Sequence, residues 1–211
     1  MRRGQEFFQK EYLPVIKRIQ AAAPPAAKGP VDEIARFFET KGPQAFEDDE
    51  FSAIALRANQ AAAAACGAEE NRVTAVNYAF QGMPATFEAG HRLFRLRNTG
   101  TELHELILIR KKATTTESFD QILALGSEDQ EAAEAKVDQV GALFAFPAAP
   151  SGPESVDASA FLDLTPGQYA AVCFIPVGLT PAAAEAAERT NQEPEGPPHF
   201  TRGMKTEFTV R

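Results

Sequence analysis

Cysteine is scarce in this chain of 211 residues: Cys66 and Cys173 are the whole complement. Two cysteines allow one disulfide or none, a sparse framework for a chain long enough to fold without one. They are not arranged as C-x-x-C, so neither a redox dithiol nor a zinc ribbon is supported. Long apolar runs are missing too, and nothing approaches the roughly 20 residues a membrane span needs. No basic, apolar and small-residue pattern of an export signal opens the chain. That is compatible with a cytosolic protein, or with an exported one whose signal is not in this sequence. Basic charge is in deficit, with 21 Lys and Arg against 29 Asp and Glu and a net charge of -8, which argues against a nucleic-acid footprint. There is no Ser-His-Asp order, no phosphate-binding glycine loop, no His-Glu-x-x-His and no internal repeat. The carboxylates Glu47-Asp48-Asp49-Glu50 read as a solvated charge run, not a catalytic dyad.

The first third has helical patterning. From Gln5 to Ala23 an apolar stripe runs through Phe8, Tyr12, Val15, Ile16 and Ile19, with Pro14 marking a kink or a late start. An Ala/Pro linker follows. Pro30 is placed to open a second helix, Val31 to Thr40, with Ile34, Phe37 and Phe38 on one side and Gly42 as its stop. A third runs from Phe51 to Ala65 and is stopped by Gly67. These stripes are expected to pack the helices on each other or on the neighbouring domain.

From Arg72 the character changes. Val73 to Phe80 is β-branched and aromatic. Phe94 and Leu96 alternate with Arg95 and Arg97 up to a tight turn, Asn98 to Thr101. Leu103 to Arg110 is apolar on both faces. Short helices are expected over Glu117 to Leu125 and over Glu128 to Val137, the second capped by Ser127. Strands are expected at Ala142 to Phe146 and Ser159 to Leu164 around a Pro/Gly loop, then at Tyr169 to Ile175 and Thr206 to Val210. Many short strands between turns predict an antiparallel sandwich. The expected division is a helical N-terminal extension, 1–66, and a β-sandwich domain, 67–211.

Four residues late in that pattern have metal-ligating chemistry: His104, Cys173, His199 and Met204. Two imidazoles, a thiolate and a thioether form the ligand set of a blue-copper centre, a trigonal His2Cys plane with a weak axial Met. Singly, each residue has a structural use as well. His104 can be a core histidine bonded to backbone, Cys173 a small buried hydrophobe, and His199 and Met204 loop packing. His91 reads as a surface histidine.

Three stretches resemble the cupredoxin family, the Greek-key sandwich of blue copper proteins. Phe94-x-Leu96-x-Asn98-x-Gly100-x-x-x-His104 is similar to the strand, turn and first histidine ligand. Leu164-x-Pro166-Gly167-x-Tyr169-x-x-x-Cys173 is similar to the strand ending in the thiolate. Pro198-His199-x-x-x-Gly203-Met204 has the His-x4-Met spacing of plastocyanin-like and pseudoazurin-like members. The resemblance implies an all-β, cupredoxin-like sandwich preceded by helices. It further implies one type 1 copper ion held by His104, Cys173, His199 and Met204, with single-electron transfer or copper carriage, a redox partner protein and an exported location. It implies no enzyme, because such a site has no open position for substrate. Cys66 should be free or paired between chains.

Two departures stand out. Twenty-five residues separate Cys173 from His199, where small members have only a few, so Val177 to Gly196 is an insertion with an Ala-rich helix over Pro181 to Arg189. If copper is bound, Pro176 and Pro198 should approach each other. Glu105 is the second departure, a carboxylate directly after the first histidine, where it can reach the surroundings of the ligands. The alternative is a metal-free cupredoxin-like binding or structural module of the cell envelope, with the helices and the insertion carrying its contacts. In either case Tyr169, Ala171, Cys173 and Ile175 should share a strand face, with Tyr169 buried and its hydroxyl bonded to nearby backbone.

Overall fold

The computed structural model describes residues 8–48, 50–147, 157–190, 192 and 194–211, with only the backbone of Phe46 and Glu47. After a π-helical turn at Phe8–Tyr12, helix α1 spans Leu13–Ala22, with Pro14 in its first turn, where a missing N–H costs nothing. Helix α2 is Lys28–Lys41 and starts before Pro30, which sits inside its first turn. Gly42 ends it at φ 61°, and its N–H donates to the Phe38 carbonyl. Helix α3 is Glu50–Cys66. The expected apolar stripe on the first helix is only half used. Phe8 and Ile16 are buried with Ala35, Phe38 and Ala45, whereas Tyr12, Val15 and Ile19 are 45%, 41% and 55% exposed. The start of that stripe, residues 5–7, lies outside the described residues.

The strands are β1 Glu69–Val76, β2 Ala79–Gln81, β3 Thr86–Phe87, β4 Gly90–Asn98, β5 His104–Lys111, β6 Val137–Ala145, β7 Ala158–Leu164, β8 Gly167–Val172 and β9 Lys205–Val210. Between β5 and β6 lie α4 Phe119–Gly126 and α5 Gln130–Glu134; α6 Pro181–Thr190 follows β8. One sheet has the order β2-β1-β4-β7 and the other β3-β9-β8-β5-β6. The β-sandwich preceded by helices is therefore present, but its sheets are mixed, not purely antiparallel. β1 pairs β4 in parallel, and β3 pairs β9 in parallel. Both pairings join strands distant in sequence, so no hairpin signal could announce them.

Other expectations need correcting. Helix α5 is capped by Asp129, whose side chain accepts from the Ala132 N–H, and not by Ser127. Ser118 instead forms a capping box with Gln121 at the start of α4. The second expected helix stops at Glu134, the chain turns at Ala135 and Lys136, and β6 begins at Val137. The Pro/Gly loop between β6 and β7 falls largely at 148–156, outside the described residues.

The inter-sheet core is built from one face of each strand. Phe94 and Leu96 from β4, Leu106 and Leu108 from β5, Leu143 from β6 and Tyr169 and Ala171 from β8 are all buried in it, together with Phe208, Cys173 and Met204. The opposite face of β5 and β8, Ile109, Ala170 and Val172, packs under α4 and α5 with Phe119 and Ile122. The period of two on β8 is thus as expected, with odd-numbered residues inward. Tyr169 is 1% exposed; its hydroxyl donates to the Thr165 carbonyl at 2.7 Å and accepts from the Thr165 N–H at 3.1 Å. Helix α3 lies against β7, with the Asn59 amide donating to the carbonyl of Ser159.

Candidate metal centre

Three chain segments meet at one end of the sandwich. The first is the turn between β4 and β5. Asn98, at the end of β4, donates from its amide to the carbonyls of Glu102 and Ala145 and accepts from the Gly100 N–H. One buried side chain therefore shapes the turn that delivers Glu102 and His104. The second segment is the residue just past β8, Cys173, whose N–H donates to the Met204 carbonyl. The third is a 3-10 turn, His199–Arg202, ended by Gly203 at φ 101°, a conformation that favours glycine. The His199 N–H donates to Ile175, and the Phe200 N–H to Cys173.

The insertion leaves and returns at the same place. Pro176 and Pro198 form an isolated antiparallel bridge, and the Val177 N–H donates to the Pro197 carbonyl. Its helix α6 buries none of its residues. The excursion therefore costs the geometry nothing: Cys173 and His199 meet as they would across a short loop.

His104, Cys173 and His199 are completely buried, and their donor atoms all lie within 4.8 Å of one another. The two Nδ1 atoms are 3.1 Å apart, and the Cys173 sulfur is 3.3 Å from His199 Nδ1. The far nitrogen of each ring has its own acceptor. His104 Nε2 is 3.0 Å from the Asn77 Oδ1, and His199 Nε2 is 3.0 Å from the Glu102 Oε2. The Asn77 amide is oriented by its neighbours: its oxygen accepts from the Thr101 N–H, and its nitrogen donates to Glu102. Oxygen acceptors require that each Nε2 carry a proton, so in a neutral ring each Nδ1 presents a lone pair. Two nitrogen lone pairs and a sulfur then point at one buried spot. Only an electron-poor centre satisfies them together, a shared proton when no metal is bound or a metal ion when one is. The donor set suits a soft, borderline cation, so the residues present fit the copper that the sequence resemblance implied.

The electrostatics follow from burial. The His104 imidazole is pushed down to about 4, first by burial and then by the charge of His199. Burial pushes the Cys173 thiol up to about 11, against the Glu105 N–H that reaches its sulfur. Burial also raises the Glu105 carboxyl, which is partly offset by the Phe174 N–H bonded to it at 2.9 Å. Burial would raise Glu102 too, yet hydrogen bonds from Tyr78, Gly178 and His199 outweigh it and hold that carboxylate below its usual value.

The fourth expected residue, Met204, is completely buried in the same core cluster as Cys173, and its main chain is tied to both Cys173 and His199. His91 lies elsewhere on β4 with its ring half exposed, against Phe161 and Asp163. Cys66 is exposed and Cys173 buried, and neither is in a disulfide. Sequence reasoning missed Asn77, Tyr78 and Glu102. Asn77 and Tyr78 follow β1, and Glu102 precedes His104; no motif spacing marks any of them. The one signal available was the polar run Asn98-Thr99-Gly100-Thr101-Glu102 ahead of an apolar strand.

No protein-family model matches the chain, and no curated protein does. Among solved structures the chain is similar to auracyanin B, at 17% identity and a TM-score of 0.39 over 68% of this chain and 89% of that one. It is similar to the dithionite-reduced auracyanin of the photosynthetic bacterium Roseiflexus castenholzii, at 16% identity and a TM-score of 0.36 over 68% and 96%. It is also similar to auracyanin A of the green thermophilic photosynthetic bacterium Chloroflexus aurantiacus, described as a "blue" copper protein, at 14% identity and a TM-score of 0.38 over 67% and 98%. Likenesses of this degree transfer no function.

Proposed function

We propose that this chain binds one copper ion through His104, Cys173 and His199, with Met204 as a weak axial ligand, and that it transfers single electrons or carries copper. The observation that supports the reading is the convergence of two Nδ1 lone pairs and the Cys173 sulfur on one buried point, each ring locked from behind by an oxygen acceptor. Copper, when bound, supplies exchange of one electron between its cupric and cuprous states.

The residues do the rest. Cys173 gives up its thiol proton to become a ligand. The Glu105 N–H donates toward its sulfur at 3.5 Å and so tempers the thiolate charge. The sandwich holds the three donors on separate segments, at the start of β5, just past β8 and in the 3-10 turn before β9, which restrains their movement between oxidation states. Four donors leave no open position, so the proposed role is electron or metal transfer and not substrate turnover. A redox partner protein and an exported location belong to the same reading.

Copper(II) added to the purified protein should give an intense blue or green thiolate charge-transfer band, absent from Cys173→Ser. A protein that stays colourless and retains no copper sinks the proposal.

A further inference from the structure

Glu102 is buried and accepts from four donors. Its Oε1 takes the Tyr78 hydroxyl at 2.7 Å and the Asn77 amide at 3.2 Å. Its Oε2 takes His199 Nε2 at 3.0 Å and the N–H of Gly178, the first turn of the insertion. Beside it, the Leu103 N–H donates to the Leu179 carbonyl, so the insertion is fastened over this spot twice. Tyr78 also covers the His199 ring, with centroids 4.8 Å apart. The outer edge of His199 thus faces a carboxylate and a tyrosine, and the residue is completely buried.

Four donors on two oxygens specify a carboxylate. An amide would turn an N–H₂ against two donors on one side or the other. On the Tyr78 side the hydroxyl can rotate to accept, but the Asn77 nitrogen cannot. On the His199 side the Gly178 N–H cannot, and His199 could accept only by moving its proton to Nδ1, which would turn that nitrogen's lone pair away from the site. The unit is therefore built around a negative charge directly behind a proposed ligand.

We infer that Glu102 is the positioning residue of this centre. It holds the His199 proton on Nε2 so that Nδ1 stays turned to Cys173 and His104, adds basicity to that ring, and ties the insertion to the ligand it covers. This rests on the copper reading. A carboxylate behind a ligating histidine raises the ring's donor strength, and its loss typically costs about 10–100-fold in metal affinity. Negative charge at the ring favours the cupric over the cuprous state, so Glu102 should lower the reduction potential.

The test uses the full chain, wild type and Glu102→Gln, loaded with copper(II) alone. The variant should bind copper(II) about 10–100-fold more weakly, with cuprous binding less affected. Each tenfold difference between the two states raises the potential by about 59 mV. The charge-transfer band should shift with it. A folded Glu102→Gln protein with wild-type affinity, potential and spectrum overturns the inference and leaves the copper reading intact. Wild type without a charge-transfer band overturns the copper reading instead.

Nitrogen-15 spectra of the metal-free wild type decide the placement of Glu102 even if the variant does not fold. His199 Nε2 should carry a proton in every form observed, and a bare Nε2 would overturn the role.

Discussion

The Nδ1 atoms of His104 and His199 face each other at 3.1 Å inside a fully buried site, and each ring has spent its other nitrogen on a different acceptor. That one relation fixes most of what the site can do. A pair of imidazoles satisfied by backbone would turn its donors outward, away from each other. Here the polar neighbours push both lone pairs inward, onto a thiol. The arrangement binds a cation at the expense of protons, and the first expectations concern that competition.

Metal uptake should release protons. The Cys173 thiol is held up to about 11 by burial, so at neutral pH it is protonated before binding and deprotonated after. Apparent affinity should therefore rise about tenfold per pH unit across the neutral range, and more steeply if a proton shared between the imidazoles leaves as well. Titration of copper(II) at several pH values in lightly buffered solution, with the released protons counted, checks this. An affinity independent of pH from 6 to 8 contradicts it.

Acid should weaken the metal-free fold. His104 falls from an ordinary 6.5 to about 4 on folding. Above 6.5 the ring is neutral in both states and contributes nothing. As pH drops through 6.5 the unfolded chain takes up a proton that the folded chain refuses until about 4. The loss approaches roughly 3 kcal/mol at the bottom of that window. Glu105, raised by burial, works the other way, because its folded form holds a proton the unfolded one has lost. Denaturant melts of the metal-free protein from pH 7 to 4 should show declining stability, and Glu105→Gln should steepen the decline.

How much of this was legible in the sequence differs from residue to residue. The four candidate ligands and the inward face of β8 were legible, because residue type and a period of two are local properties. So was the return of the insertion, since Pro176 and Pro198 flank it. The parallel pairing of β1 with β4 was not: it joins Glu69 to Arg92 and Ala75 to Asn98 across the intervening β2 and β3. Nor was Glu102. A glutamate in a polar turn looks like any solvated carboxylate until Tyr78, Asn77, Gly178 and His199 close around it from three other segments. The burial of Phe8 and Ile16 but not of Val15 and Ile19 was illegible for a related reason. The stripe is wider than the surface available to cover it, and only the packing of α2 decides which part is used.

Gly100 should be intolerant of any side chain. A Cβ there would lie 2.2 Å from the Asn77 Oδ1 and 2.8 Å from His104 Nε2. Neither atom is the free end of a flexible chain, since the two are bonded to each other and the Asn77 oxygen also accepts from the Thr101 N–H. Gly100→Ala should therefore break the Asn77–His104 contact, release the His104 tautomer and weaken copper(II) binding about tenfold or more, with smaller effects on the melting temperature. Unchanged binding in a folded Gly100→Ala protein would show that Asn77 does not set the ring.

Tyr169→Phe gives the opposite separation. The hydroxyl closes a four-residue corner onto Thr165, away from the ligands, and the ring stacks on Phe208 at 5.2 Å. Phenylalanine keeps the stack and removes the hydroxyl's bonds to Thr165, whose backbone groups can turn to water because that residue is exposed. The expected cost is about 0.5–1.5 kcal/mol of stability, read from denaturant melts, with the charge-transfer spectrum unchanged.

The insertion should be separable from the site at its outer part and not at its root. Helix α6 buries none of its residues, whereas Leu179 is buried and Gly178 donates to Glu102. Replacing 181–195 with a short Gly/Ser linker shortens a surface loop whose ends already meet at the Pro176–Pro198 bridge. Loop length enters the closure entropy only logarithmically, so the change should lie within about 1 kcal/mol. The trimmed protein should fold, and its copper spectrum should match the full chain. Replacing 177–195 in the same way also removes Gly178 and Leu179. That variant should fold but expose the Glu102–His199 pair to water, lower copper(II) affinity and admit faster exchange of the His199 Nε2 proton. Equal behaviour of the two variants, in affinity and in proton exchange, would mean that the root of the insertion does not act on the site.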